Sequence, residues 1–247
     1  FTSDDGLSGD LVTSIYQDRN GVMWIGTYGG GLNRLEGKTC TIYTTSDGLT
    51  SSNIRFTFED AEGGLWIGTE GGGIDRLKDG HIVSVTVANG LYDDTAFDEL
   101  DDGRGNLWLN CNKGIYRVAM KDLLDFANGR VGSVSCVSYG MPDGMLSAEC
   151  NSGIKPGSWM LRNGTLAFAT NKGLVLLDPE RIRTNKVLPP VFVEQVFVDR
   201  KPLAAGATTI PPGAESFEFH YAALSLRVPD ANANPTSEVD SLCRNSC

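Results

Sequence analysis

Four kinds of side chain in this sequence could do chemistry, and their spacing separates the useful from the structural. Asp98, Glu99, Asp101 and Asp102 crowd one strand end and turn, the kind of oxygen-rich group that can hold calcium. The Asp/Gly spacing of an EF-hand is missing, so the group reads as a solvated acidic edge and no metal is expected. Arg34, Arg76 and Arg117 recur at one position, in Asn33-Arg34-Leu35, Asp75-Arg76-Leu77 and Tyr116-Arg117-Val118. A sialidase also uses three arginines, but from unequal positions around a pore. Equivalent positions instead point to a strand surface or to pairing between neighbouring sheets. The histidines are His81 and His220, and His220 beside Tyr221 fits a strand face. Cys40, Cys111, Cys136, Cys150, Cys243 and Cys247 show no CxxC spacing, which argues against zinc. They read mostly as free thiols in a chain able to build a core without staples, although Cys243 and Cys247 could pair and a disulfide framework stays open. There is no Walker loop, nucleophile elbow or kinase ATP-site motif, so no catalytic residue and no cofactor is assigned.

Composition narrows the class. The chain has 247 residues, 40% hydrophobic and 21% charged, with 30 glycines, which suits a globular protein rich in turns. Its formal charge is -10 and it has no Lys/Arg cluster, so a nucleic acid or an anionic membrane surface is a poor partner. No apolar run approaches the roughly 20 residues of a membrane-spanning helix, and no signal peptide is marked.

The elements that must position any site come from an internal repeat. DRNGVMWIGTYGGGLNRL at 18–35 returns as DAEGGLWIGTEGGGIDRL at 60–77, a step of 42. Trp24, Trp66 and Trp108 keep that step, as do Asp5-Gly6-Leu7, Asp47-Gly48-Leu49 and Asn89-Gly90-Leu91. A fourth unit opens at Asp143-Gly144-Met145. The step from the third opening to the fourth is 12 residues longer than the others, and the surplus matches an insertion in the third unit, AMKDLLDFANGR at 119–130, whose apolar spacing predicts a helix. In the fourth unit Ala167 stands where the tryptophan should be, and Trp159 is displaced onto the preceding segment.

In the first unit, short segments at 11–17, 22–28, 32–36 and 39–45 are rich in β-branched and aromatic residues and bounded by turn letters, which predicts a four-stranded antiparallel meander. Asp18 and Gly21, Asp60 and Gly63, and Asp102 and Gly105 supply the first turn, where Asp bonds the turn backbone and Gly takes positive φ. Trp24, Trp66 and Trp108 sit mid-strand and are expected to be buried between sheets. Sheets stacked at a period of about 42 are propeller blades. The fold class is therefore all-β: four four-stranded blades near 5–46, 47–88, 89–142 and 143–185, part of a larger propeller.

YQDRNGVMWIGTYGGGLNRL at 16–35 resembles the two-component regulator propeller repeat of bacterial sensor proteins, and the resemblance covers about residues 1 to 185. PPVFVEQVFVDRKPL at 189–203 and FEFHYAALSL at 217–226 resemble the opening strands of the immunoglobulin-like triple-tyrosine domain that follows such propellers. The expected domains are thus propeller repeats over 1–186, the start of a β-sandwich over 187–226, and an irregular tail over 227–247. Phe1-Thr2 aligns with Tyr43-Thr44, so the chain is expected to begin inside a preceding blade. An open array would expose two terminal sheet faces, so self-association is expected, as a homodimer or larger oligomer.

The resemblance implies a periplasmic sensing module of a signalling protein. Its ligand would be an oligosaccharide, and its output a kinase or cyclic-dinucleotide domain outside this chain. The other partners expected are neighbouring blades and signalling domains, with no nucleic acid. The alternatives are a propeller lyase or glycoside hydrolase, which would need convergent carboxylates or a metal at the pore, and a protein-interaction scaffold. Ligand contacts are expected where Tyr28, Glu70, Asn112 and Asn171 share one aligned position yet differ in chemistry, on the end of the blades that carries the second-to-third hairpins and the inter-blade links.

Overall fold

The computed structural model describes residues 2–150, 156–182, 191–203 and 216–223. The chain divides into two compact units, Phe1–Arg181 and Ile182–Cys247. In the first unit each repeat folds as its own antiparallel sheet, paired in chain order. The first blade comprises β1 Val12–Gln17, β2 Met23–Thr27, β3 Gly31–Glu36 and β4 Thr39–Tyr43, and the second β5 Ile54–Glu59, β6 Leu65–Thr69, β7 Ile74–Lys78 and β8 His81–Val85. The third comprises β9 Asp98–Asp101, β10 Asn106–Cys111, β11 Gly114–Ala119 and β12 Cys136–Tyr139, with helix α1 Met120–Ala127 inserted before its last strand. The fourth shows three strands among the described residues, β13 Ser158–Met160, β14 Leu166–Thr170 and β15 Gly173–Leu177. Residues 183–185, the end of its expected span, lie outside them. The inner strands β1, β5 and β9 lie side by side, as do β9 and β13, which is the arrangement of propeller blades.

The recurring Asp-Gly-Leu trio is the joint between blades. Thr44 enters a 3-10 turn whose Asp47 carboxylate accepts from the Thr44 amide at 2.8 Å and its hydroxyl at 3.0 Å. Gly48 then takes φ 106, a left-handed conformation that glycine adopts without strain, and Leu49 is buried. The same joint recurs at Thr86–Gly90, with Asn89 as acceptor, and at Gly140–Gly144, with Asp143.

Side chains alternate across a strand, so each middle strand serves two interfaces. Leu65 and Ile67 of β6 pack towards the first blade with Val22, Trp24 and Leu32. Trp66, on the other face, packs towards the third blade with Leu107, Leu109 and Val118. Trp24, Trp66 and Trp108 are all buried, the last two fully, as the repeat pattern requires. In the fourth blade Trp159 pairs directly with Ala167 and is 62% exposed, on the same sheet as the exposed Leu174 and Leu176.

The repeat is varied by compensating pairs. The joint amide of Ser8 donates to Asn33 at 2.7 Å, and that of Thr50 to Asp75 at 2.9 Å. In the third blade the same two positions carry Tyr92 and Tyr116, whose rings pack 5.4 Å apart. Likewise the bare backbone of Gly68 makes room for the Phe56 ring, where an added Cβ would lie 2.0 Å from it, and the paired positions in the third blade are Asp98 and Asn110.

Two expectations are corrected. Asp98 and Asp102 are buried, not a solvated edge. Asp98 Oδ2 accepts from the Gly157 and Ser158 amides and the Ser158 hydroxyl, each at 2.8 Å, and so latches the third blade to the fourth. Of the two readings of the arginines, pairing between blades fails, since among the described residues no ion pair of Arg34, Arg76 or Arg117 joins two blades. Arg34, Arg76 and Arg117 stand directly across from Trp24, Trp66 and Trp108 within their own sheets, each guanidinium 5.6–5.9 Å from the ring centre.

Cys40, Cys111, Cys136 and Cys150 are free thiols; Cys243 and Cys247 lie outside the described residues. Burial pushes Cys111 and Cys136 up to about 11 and Cys150 to about 12, so they are held as unreactive thiols. In the second unit β16 Val191–Val198 pairs with β17 Lys201–Pro202 and β18 Phe217–Ala223, and His220 sits on β18 with its ring against Phe197. The expected tail, 227–247, lies outside the described residues.

The carboxylates set the acid response. Burial works against ionisation of Asp18 and Asp102, but the indole and backbone donors around each outweigh it and hold both below the usual range. Arg76, Asn128 and Lys78 hold Glu62 down to about 2. Lowered carboxylates stabilise the fold above their unfolded pKa, and that contribution is lost as pH falls through the folded value. Asp75 is the reverse: burial raises its pKa against donors from Ser84 and Thr50, so its ionisation weakens the fold and protonation relieves that. Stability is therefore expected to fall between about pH 4.5 and about pH 2. Asp75→Asn, which reproduces Asn33 of the first blade, should raise stability at pH 7 and steepen the acid loss. Thermal melts of both proteins from pH 7 to pH 2 test the two signs, and a flat wild-type profile would contradict them.

Candidate functional site

The end of the blades that carries the second-to-third hairpins is shaped by a register irregularity. In β1 and β5 the pairing slips between Val12 and Ser14 and between Ile54 and Phe56, so Thr13 and Arg55 are extra residues. An extra residue bends a strand and re-aims its side chain. Thr13 turns its hydroxyl onto the Ile54 carbonyl at 2.7 Å, tying the first blade to the second. Arg55, at the equivalent place, reaches to both neighbours. Its guanidinium lies 5.4 Å from the Tyr28 ring centre of the first blade and 5.3 Å from that of Phe97, at the entry to the third. Its Nη2 pairs with Glu70 Oε2 at 2.5 Å.

Three consecutive units thus meet at one cation. The flanking rings present negative faces to the guanidinium, and Glu70 balances its charge. The arginine side chain is 18% exposed and that of Glu70 32%, so the pair is partly shielded yet open at one edge. Arg55 Nε is buried without an acceptor among the described residues. Tyr28 is held by its amide donating to Leu11 and by a bridge to Asn53, and the Glu70 amide donates to the Asn53 carbonyl. The main chain that carries the ring and the carboxylate is therefore held by backbone bonds to Leu11 and Asn53.

Of the four expected contact residues, the structure brings Tyr28 and Glu70 together through Arg55. Asn112 and Asn171 are exposed on their own hairpins, and no described hydrogen bond or ion pair joins them to that cluster. Arg55 and Phe97 escaped the sequence reading. The signal was present, because the aligned positions 13, 55 and 97 read Thr, Arg and Phe, a variable position at the start of the inner strand. Among the described residues no group of three or more His, Cys, Asp or Glu is placed to hold a metal ion, and no helix is long and apolar enough to cross a membrane.

The fold and this cluster define an array of β-propeller blades with a charged, ring-flanked group at the inner strands. Residues 6–29 and 41–71, within the first two units, match the family model described as two component regulator propeller. The chain is similar to the extracellular domain of what is described as the hybrid two component system BT3049 of B. thetaiotaomicron, at 20% identity and a TM-score of 0.62, covering 89% of this chain and 30% of that one. It is also similar to the extracellular domain described as that of the hybrid two component system BT4673 of the same organism, at 19% identity and a TM-score of 0.53, covering 74% of this chain and 27% of that one. The chain thus spans less than a third of either relative. Among curated proteins nothing matches.

Proposed function

We propose that this blade array is an extracytoplasmic ligand-sensing module of a bacterial signal-transduction protein, and that it reads an oligosaccharide at the Arg55 cluster. The carrying observation is that one cation, two rings and one carboxylate from three units converge at the inner strands. Ring faces suit the C–H face of a sugar, and a paired arginine and carboxylate suit its hydroxyls. A site shared by three blades also couples occupancy to blade geometry, which a relay to a kinase or cyclic-dinucleotide output requires. The match to the two-component regulator propeller and the extracellular likenesses support this reading, with the periplasm as the expected compartment.

Calorimetry against a panel of neutral oligosaccharides tests it. Arg55→Ala is expected to weaken the best ligand by roughly 30-fold, the equivalent of about 2 kcal/mol for an arginine anchor. The sugar should be recovered unchanged. Cleavage or elimination products that vanish in a carboxylate variant would instead make the protein an enzyme, and equal affinity in the Arg55→Ala protein would remove the site.

A further inference from the structure

The opposite end of the same blades carries an open groove that its own repeat shows closed elsewhere. Between the second and third blades, α1 lies over the interface. Leu123 is fully buried there, Met120, Leu124, Phe126 and Ala127 pack on the cluster that holds Trp66, and Asn128 Nδ2 reaches Glu62 Oε2 at 3.4 Å. Under this cover Arg76 bonds Asp60 at 2.7 Å and Glu62 at 3.0 Å, with 3% of its side chain exposed. Between the first and second blades no helix intervenes. The β7–β8 connection is the two-residue turn Asp79-Gly80, with φ of 50 and 77, the left-handed pair that closes the tightest hairpins. A cavity of about 470 Å³ remains, within the range of small-molecule sites.

Its chemistry is balanced. Trp24 and Tyr43, ring centres 6.0 Å apart, line it along with Leu65 and Leu77, while Asn20, Arg34 and Glu36 line it from the first blade and Glu59 and Lys78 from the second. Arg34, without the partners that Arg76 has, pairs with Glu36 at 2.8 Å and keeps 32% of its side chain exposed. Glu59 is paired by Arg19 at 2.6 Å, and Asp18 is occupied by the Trp24 indole and two turn amides. The carboxylates of Asp18, Glu36, Glu59 and Asp79 outnumber Arg34 and Lys78, which disfavours an anionic ligand, while the ion pairs of Glu36 and Glu59 and the neutral donors on Asp18 weaken the attraction for a cation. A donor and an acceptor side by side, as in Arg34–Glu36, match a vicinal diol, and aromatic and aliphatic edges match the C–H face behind it.

We propose that the groove between the first and second blades is a binding site for a neutral polyhydroxylated molecule of one to three sugar units, separate from the Arg55 cluster and independent of it. The test is saturation-transfer NMR and tryptophan fluorescence on the full chain with cellobiose, maltotriose, xylotriose and galactobiose, alongside glucuronate and glucosamine as charged probes. At least one neutral sugar should bind, and Arg34→Met should weaken it 10-fold or more while Arg55→Ala leaves that binding unchanged. Replacing Asp79-Gly80 by residues 119–130 should close the groove and abolish it; where that graft fails to fold, Asn20→Ala serves, with several-fold weakening expected. The proposal falls if no neutral sugar binds, if a charged probe binds as tightly, if binding survives Arg34→Met, or if it is lost in Arg55→Ala.

Discussion

Trp66→Ala is expected to destabilise the protein by about 3 to 5 kcal/mol in urea melts, the range for deleting a fully buried aromatic side chain. Trp66 is 0% exposed, and its ring packs in the cluster between the second and third blades. The loss has three physical parts. The apolar ring leaves a cavity that two sheets, each held by its own hydrogen-bond ladder, cannot collapse around. The Asp60 carboxylate loses an indole donor at 2.8 Å inside the protein. The Arg76 guanidinium, 5.8 Å from the ring centre, loses its aromatic neighbour. Trp159→Ala is the internal control, since the same side chain at 62% exposure should change stability by less than about 1 kcal/mol. A Trp66→Ala cost as small as that would mean the ring is not a core residue at all.

The sequence showed the blades because the features that make them are local and repeated. A turn needs Asp or Asn and Gly at fixed offsets, and a strand pairs in register with its neighbour, so one unit predicts the next and the 42-residue step exposes both. Even the exception was visible: Ala167 and Trp159 are direct cross-strand partners, so a shifted tryptophan could be read from its displacement. What escaped depends on contacts that no single unit contains. Arg55 looks like one more alternating strand residue until a one-residue slip re-aims it, and its partners lie 27 residues before, 15 after and 42 after. Asp98 looked like a surface charge because its neighbours in sequence are acidic, while its donors come from Gly157 and Ser158. Helix α1 was legible as a helix, but its place over the interface between the second and third blades was not, because an amphipathic stripe names no partner.

The three turn aspartates should not be equal, although the repeat spells them alike. Asp18, Asp60 and Asp102 each accept from their blade's tryptophan indole at 2.8–2.9 Å and from two turn amides. Only Asp60 also holds a buried guanidinium, with Arg76 Nε at 2.7 Å and both side chains at most 3% exposed. Removing one partner of a buried ion pair strands the other charge, at a cost of about 3 to 5 kcal/mol, whereas losing neutral donors to an acceptor costs about 1 kcal/mol each. Asp60→Ala is therefore expected to destabilise by about 3 to 5 kcal/mol. Asp18→Ala should cost less, roughly 1 to 3 kcal/mol, because Arg34 forms no ion pair with Asp18 and is open to water, whereas Arg76 is 3% exposed and would keep only the partly exposed Glu62. The cause can be isolated by a double change. In Asp60→Ala/Arg76→Met the stranded charge is gone and the methionine still covers Trp66, so at least half of the single-variant loss should return. Urea melts of the four proteins decide it. Equal losses for Asp18→Ala and Asp60→Ala, or a double variant no more stable than Asp60→Ala alone, would show that the turn and not the buried charge pair sets the energy.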